Sequence, residues 1–310
     1  MNFKKIIFVV GPTAVGKSDA AFCLAQNIKG EIISCDSMQI YQGIHIANNK
    51  PTQYVLDAVA HHLVGILPVE QEYDVAQFNQ RALGIIKEIH NKGNIPIIVG
   101  GSGMYMQILL DGIFSGGAKN EALRKDLREQ AKQRGNQYLY DKLKEADPKA
   151  AQKIHPNDLR RVIRGLEICM TEKIPLSDLQ KNRKGLWGHY DICLFVLNRQ
   201  REELYGRIDA RVEQMFDDGI VEEVKRIKED QWGRTAEKII GIQEIRKYLR
   251  GKYNLEETKQ KIKLNTRHLA KRQLTWFRRE KRLQWITVGE EDTAESIADT
   301  MLGEWKGVSQ

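Results

Sequence analysis

Long apolar runs are missing from this chain of 310 residues: Ile6-Ile7-Phe8-Val9-Val10 stops after five and Ile192–Leu197 after six, where a membrane-spanning helix needs roughly 20. The first of these runs follows Met1-Asn2-Phe3-Lys4-Lys5 and leads straight into a glycine loop, too short an apolar segment for a secretory leader. Cysteine is scarce. Cys23, Cys35, Cys169 and Cys193 form no CxxC pair and no zinc spacing, so disulfide frameworks and zinc fingers drop out. The four read as buried thiols of a reducing cytoplasm. Internal repeats and low-complexity segments are also lacking. What remains is globular: 41% hydrophobic residues can bury a sizeable core and 29% charged residues is ordinary for a soluble chain. The length allows one large domain or two.

Charge is unevenly spread. The chain carries 49 Lys+Arg against 41 Asp+Glu, a formal +8. Residues 1–117 hold 8 basic and 9 acidic groups, residues 118–195 hold 17 and 11, and residues 196–310 hold 24 and 21. The excess therefore lies after residue 117, which points to a polyanionic partner as readily as to a solvated basic face.

The first third alternates strand and helix. Lys5–Val10 is a continuous apolar run of the kind a strand covered on both faces shows. Helical periodicity follows over Lys17–Ile28, strands are expected at Glu31–Cys35 and His62–Leu67, a helix at Val75–His90, and a further strand at Ile95–Val99. The pattern changes near Phe114-Ser115-Gly116-Gly117. From Glu121 to about Leu179 only helical signals occur, and strand-like runs return at Ile192–Leu197 and Leu283–Val288. The expected fold is α/β: a doubly wound parallel sheet with an inserted all-helical domain, and P-loop NTPase-like because Gly11-Pro12-Thr13-Ala14-Val15-Gly16-Lys17-Ser18 joins the first strand to the first helix. The expected boundaries are 1–117 for the first part of the core, 118–195 for the insertion and 196–310 for the return to the core.

Gly11-Pro12-Thr13-Ala14-Val15-Gly16-Lys17-Ser18 fits G-x-x-x-x-G-K-[ST] between a buried strand and a helix, the context that this loop requires. Its glycines let successive N–H groups turn inward on an anion, and the helix N-terminus adds partial positive charge. Lys17 supplies a full charge and the Ser18 hydroxyl suits Mg²⁺. The loop implies a diphosphate or triphosphate ligand without naming it. The guanine-reading NKxD motif is absent, which removes GTPases and leaves a small-molecule or nucleotide kinase open.

Asp36 follows the second strand in Ser34-Cys35-Asp36-Ser37-Met38-Gln39-Ile40-Tyr41, where the carboxyl ends of strands border the ligand crevice. A carboxylate there can bind Mg²⁺, serve as a general base, or merely cap an Asx turn. Gly100-Gly101-Ser102-Gly103-Met104-Tyr105 ends a later strand beside the same crevice, where a simple turn accounts for two of the three glycines. Lys261 to Arg282 contains nine Lys or Arg and one Glu. As a helix it places Arg267, Lys271, Arg278 and Arg282 on one stripe and Ile262, Thr266, Leu269, Gln273, Trp276 and Phe277 on the opposite side. A second basic cluster, Arg160, Arg161 and Arg164, opens a helix for which Asp158 is a suitable N-cap. Either surface alone is consistent with a solvated cationic helix; two on one chain suit a long phosphate backbone.

Taken together, these segments resemble the tRNA dimethylallyltransferases, also called tRNA isopentenyltransferases. The matching stretches are Gly11–Ser18, Asp36–Tyr41, Gly100–Tyr105, His155-Pro156-Asn157-Asp158 with Arg160–Glu167, Gly241-Ile242-Gln243-Glu244, and Thr266–Arg278. They run in family order over nearly the whole chain. The resemblance implies transfer of a dimethylallyl group from dimethylallyl diphosphate to N6 of the tRNA adenine just 3′ of the anticodon, position 37. It implies Asp36 as general base, Thr13 as the hydroxyl on the bridging oxygen, and a diphosphate site formed by Gly11, Pro12, Thr13, Ala14, Val15, Gly16, Lys17, Ser18 and Lys225, with Mg²⁺ held partly through Ser18. For tRNA it implies contacts from Asp36, Ser37, Met38, Gln39, Ser102, Arg124, Arg160, Arg161, Val162, Ile163, Arg164, Gly241, Lys271, Arg272, Gln273 and Arg278, with the helical insertion clamping the anticodon stem-loop. Ser102 stands where many members have Thr, Gly165 replaces a common Ala, and Lys225 stands where some members have Arg. The zinc-finger extension of eukaryotic members is missing, so the form expected is a compact bacterial one, a cytoplasmic monomer with no membrane partner. The competing readings are a P-loop kinase and a non-catalytic RNA-binding module with an inert loop.

Overall fold

The computed structural model describes residues 4–114 and 119–307. The expected change of pattern near residues 114–117 and the 117/118 boundary therefore fall mostly outside the described residues, as does the segment 1–3. Two compact units are present, one of residues 1–109 with 187–310 and the other Leu110–Leu186.

The first unit is built on six strands: β1 (Lys5–Val10), β2 (Gly30–Ser34), β3 (His61–His62), β4 (Ile95–Gly100), β5 (Asp191–Asn198) and β6 (Gln284–Thr287). Their order is β3-β2-β4-β1-β5-β6 and every pairing is parallel. This is the expected doubly wound, P-loop NTPase-like arrangement. β1 lies at the centre, pairing Ile7 with Ile97 of β4 and with Cys193 of β5. Its residues Ile6 to Val10 are all at most 1% exposed, which is why the run shows no polar alternation. Burying each such side chain contributes about 1.5–3 kcal/mol.

The helices that flank this sheet are α1 (Lys17–Ile28), α2 (Gln53–Ala58), α3 (Val75–Asn91) and α4 (Gly103–Asp111) in the first part of the chain. Ile7, Val9, Ile97, Val99, Phe195 and Leu197 form one packed cluster with Ala20, Ala21, Leu24 and Ala25 of α1. Asp74 caps α3 in a reciprocal box with Gln77. The third strand is much shorter than the expected His62–Leu67. Leu63 and Gly65 take positive φ (62° and 60°), so the chain leaves the extended conformation after His62, and Leu67 forms an isolated bridge with Tyr41.

The second unit contains only helices among the described residues: α5 (Glu121–Arg134), α6 (Asn136–Ala146), α7 (Pro148–Ala151), α8 (Leu159–Glu172) and α9 (Leu176–Leu179). Leu127, Ala131, Leu139, Leu143, Ala151, Val162, Ile163 and Leu166 form its core. Asp158 caps α8 by accepting the Arg161 amide, as expected, and Asp147 caps α7. Glu167 is fully buried, with Arg124 bidentate on its two oxygens at 2.9 and 2.8 Å and the Asn120 amide at 2.8 Å. Gly165 has a packing role: a Cβ there would lie 2.8 Å from Leu143 Cδ1. The unit's limits differ from the expected 118–195 because Asp191–Asn198 belongs to the sheet. Leu110–Leu186 carries the same 17 basic and 11 acidic groups.

The chain then completes the first unit with α10 (Arg201–Asp217), α11 (Ile220–Lys225), α12 (Ile242–Leu249), α13 (Leu255–Phe277) and α14 (Ala294–Gly307). α13 ends at Phe277, so the expected basic helix is cut short: Arg278 is its C-cap and Arg282 lies beyond it, bound to Glu280. All four cysteines are free, but only Cys35 and Cys193 are buried. Among the described residues no helix is long and apolar enough to cross a membrane.

Candidate functional site

The loop Gly11–Ser18 joins β1 to α1. Gly16 adopts φ 103°, which lets the chain turn directly into the helix. The Lys17 ammonium folds back to donate to the Pro12 carbonyl at 3.2 Å. Burial pushes Lys17 down to about 8, against the pull of Asp36 and with Arg211 adding to the depression. The loop opens on a cleft of about 370 Å³, and Thr13, Ala14, Gly16, Lys17 and Ser18 line it together with Asp36, Gln39, Asn48, Arg207 and Arg211.

Cations brace the loop. Arg207 Nε donates to the Ala14 carbonyl and Arg199 Nε to the Val15 carbonyl, both at 3.0 Å. Arg211 Nη1 donates to Thr13 Oγ1 at 3.1 Å. Arg199 follows directly on β5 and Arg207 and Arg211 come from the middle of α10, almost two hundred residues after the loop. An i, i+4 pair such as Arg207 and Arg211 looks locally like any solvated helix face, which is why the sequence does not single it out. Besides Lys17, the cation expected beside the phosphates was Lys225. It is exposed at the end of α11 and does not line the cleft, whereas Arg207 and Arg211 do. Burial lowers the Arg211 guanidinium and Asp36 raises it; an arginine nonetheless remains charged.

Asp36 satisfies two of the expectations at once. One carboxylate oxygen accepts the Met38 amide at 2.8 Å, an Asx turn, and the group also lines the cleft. β4 lies between β1 and β2, so the Gly100–Gly103 segment must fit between the phosphate loop and Asp36. A simple turn does not account for its glycines. A Cβ on Gly101 would lie 2.1 Å from Gln273 Nε2, and one on Gly103 would lie 2.2 Å from the Trp276 indole. The Ser102 amide donates to the Cys35 carbonyl at 3.3 Å, tying this segment to the one that carries Asp36. Gln39 is fixed in turn: it accepts from Ser34 Oγ at 2.8 Å and donates to the Asn49 carbonyl at 3.0 Å. Ser37 and Met38 are half-buried.

The other residues expected on RNA lie in different surroundings. Arg160, Arg161, Lys271, Arg272 and Arg278 are exposed cations, although Arg161 pairs with Asp158 at 3.3 Å. Arg124 and Arg164 are bound to buried Glu167, and on the expected α13 stripe Arg267 is bound to Asp209 and stacks over Tyr205. Val162 and Ile163 are 0% and 5% exposed in the helical core, so their side chains cannot meet RNA. Gly241 is the N-cap of α12 and its amide is taken by Glu244 at 3.0 Å. Gln273 has both ends of its amide engaged: it accepts the Thr13 N–H at 2.9 Å and donates to the Gly101 carbonyl at 3.1 Å.

No group of three or more His, Cys, Asp or Glu that could hold a metal exists among the described residues. The cleft does offer the Ser18 hydroxyl and the Asp36 carboxylate. So sparse a set of hard oxygen donors fits Mg²⁺, which keeps waters and takes most of its other ligands from substrate phosphates.

Residues 39–280 match the family model described as IPP transferase. The chain is 41% identical to the tRNA dimethylallyltransferase of Alkaliphilus oremlandii over 98% of both chains. It is 42% identical to that of Carboxydothermus hydrogenoformans over 97% of both. Among solved structures it is similar to the tRNA isopentenylpyrophosphate transferase of Bacillus halodurans, with a TM-score of 0.71 at 36% identity covering 99% of this chain and 98% of that one. A eukaryotic dimethylallyltransferase solved acting on tRNA gives a TM-score of 0.80 at 29% identity, covering 96% of this chain and 77% of that one. Phosphate loop, crevice carboxylate and full-length likeness agree: the chain belongs to the IPP transferase family.

Proposed function

We propose that the chain transfers a dimethylallyl group from dimethylallyl diphosphate to N6 of adenosine 37 of tRNA and releases diphosphate. The observation that carries this reading is that the phosphate loop and Asp36 line one cleft, in a chain whose full-length relatives are tRNA dimethylallyltransferases. In the reaction N6 attacks the allylic carbon, the carbon–oxygen bond to diphosphate breaks, and the N6 proton passes to Asp36. Negative charge grows on the bridging oxygen, which is where fixed positive charge and hydrogen-bond donors act most strongly. Because Arg211 donates to Thr13 Oγ1, the Thr13 hydroxyl proton is left to point at that oxygen. Lys17, Arg207 and Arg211 face the departing diphosphate. Mg²⁺, held by Ser18 and the phosphates, would supply Lewis-acid neutralisation of the same charge.

An adenine stacked in an anticodon loop cannot reach the cleft, so the base is extruded at a cost of roughly a few kcal/mol. The exposed cations of α8 and α13 hold the anticodon stem-loop meanwhile, and the protein acts as a cytoplasmic monomer. The test supplies labelled dimethylallyl diphosphate and undermodified tRNA with Mg²⁺ and locates the label. Label on N6 of adenosine 37 is expected; γ-phosphate transfer from ATP to a small alcohol or nucleotide would instead identify a kinase. Asp36→Ala should lower turnover about 10²–10⁴-fold, the range for losing a general base, with tRNA affinity retained. Unchanged turnover would remove Asp36 from the mechanism.

A further inference from the structure

Gln273 lies on α13 between Arg272 and Leu274, half-buried, and its amide bridges the ends of two neighbouring strands. On the β1 side it accepts the N–H of Thr13; on the β4 side it donates to the carbonyl of Gly101. A side-chain amide offers one carbonyl and one NH₂, and here each is used on a backbone group: the N–H of Thr13, which lines the cleft, and the carbonyl of Gly101, next to Gly100, which also lines it. The bare Cα of Gly101 is the room this bridge requires. Thr13 is thus held twice: Gln273 takes its amide and Arg211 its hydroxyl oxygen. The remaining freedom of Thr13 is the direction of its hydroxyl proton.

We propose that Gln273 is a positioning residue that acts through Thr13 on diphosphate departure, and that it makes no contact with RNA. The assignment rests on the reaction proposed above. It also means that the helix presenting Lys271 and Arg272 to solvent is joined by the next residue to the group that meets the leaving oxygen.

The measurement is steady-state transfer with both substrates varied, together with tRNA binding and calorimetric binding of inorganic diphosphate. Gln273→Ala leaves the Thr13 amide and Gly101 carbonyl unpaired, so kcat should fall about tenfold or more while tRNA Kd changes by less than about twofold. Gln273→Glu keeps an acceptor for Thr13, loses the donor to Gly101 and adds negative charge, so it should weaken inorganic diphosphate binding further than alanine does. Gln273→Met, of similar length, carries the test if the alanine protein does not fold. In a Thr13→Val background, which lacks the hydroxyl, Gln273→Ala should cost only a small part of its factor, because both changes remove the same positioned group. Additive losses in that cycle, or a weakened tRNA Kd with kcat intact, would overturn the assignment. A wild-type protein that transfers no allyl group would defeat the functional reading instead, and weaker diphosphate binding by Gln273→Ala would still support the bridge.

Discussion

Lys17 makes the binding of a diphosphate donor depend on pH in a way that can be worked out in advance. Its ammonium is pushed down to about 8 by burial, with Asp36 opposing and Arg211 assisting. The donor brings phosphate oxygens against this group and therefore selects its protonated form. The apparent Kd should then grow as one plus ten raised to the difference between pH and about 8. That factor is about 1.1 at pH 7 and about 11 at pH 9, a tenfold loss of affinity across two units. The terminal phosphate ionises near 6, so the donor itself changes little over this interval. Calorimetry in chelator-containing buffers of two ionisation enthalpies should record about half a proton taken up per donor bound at pH 8. Lys17→Arg should flatten the profile, because a guanidinium stays charged throughout. A Kd that is constant from pH 7 to 9 in the wild type, or an equal slope in Lys17→Arg, would refute the reasoning. The same burial fixes the sign for the empty protein. A base whose pKa is lowered on folding binds its proton less tightly when folded. Lys17 therefore costs stability below about pH 8, and the cost fades as pH rises toward the ordinary 10.5. Lys17→Met should accordingly raise the Tm at pH 7 while abolishing donor binding.

Other outcomes follow from the ion pairs and close contacts. The tRNA affinity should fall steeply between 50 and 200 mM salt, and Arg160→Ala or Lys271→Ala should each reduce the slope by about one phosphate contact; fluorescence anisotropy titrations measure this, and a wild-type slope near zero would contradict the clamp. Arg124→Ala should move that slope less, since its guanidinium is committed to Glu167. Glu167→Ala removes a fully buried carboxylate from beneath Arg124 and Arg164 and should destabilise the helical unit by about 3–5 kcal/mol, read as a lower melting temperature and faster proteolysis within residues 110–186. Gly103→Ala pushes a methyl group into the Trp276 indole and should lower both turnover and thermal stability, since α13 must shift to admit it.

Signals carried by contiguous residues are legible in the sequence. The phosphate loop, the helix Lys17–Ile28 and the apolar strand before them needed only local pattern, and their limits coincide with those observed. Asp36 was placed by the rule that ligands gather at carboxyl ends of strands. Roles that depend on a distant partner were not legible. A helical wheel gives Arg267 its angle but not Asp209, and gives Gln273 an inward face but not Thr13, 260 residues away. Lys225 comes from the resemblance alone, standing where some members have Arg, and its exposure at the end of α11 separates it from the loop that Arg207 and Arg211 reach. Val162 and Ile163 were carried along with a basic segment, and the 3.6-residue period turns them into the core while Arg160 and Arg161 stay outside. The third strand was over-read because His62–Leu67 is apolar, and apolarity does not reveal a left-handed turn at Leu63.

The position of β1 between β4 and β5 has a consequence for synthesis on the ribosome. β5 begins about ninety residues after β4 ends, so at roughly 5–20 residues per second an apolar central strand waits several seconds with one side open. The arginines that grip the loop carbonyls, Arg199 just after β5 and Arg207 on α10, and the glutamine of α13 that fastens Thr13 emerge later still. A nascent chain stopped before residue 199 would thus carry the complete glycine motif with none of its outer bracing, competent in spelling and unable to hold its ligand.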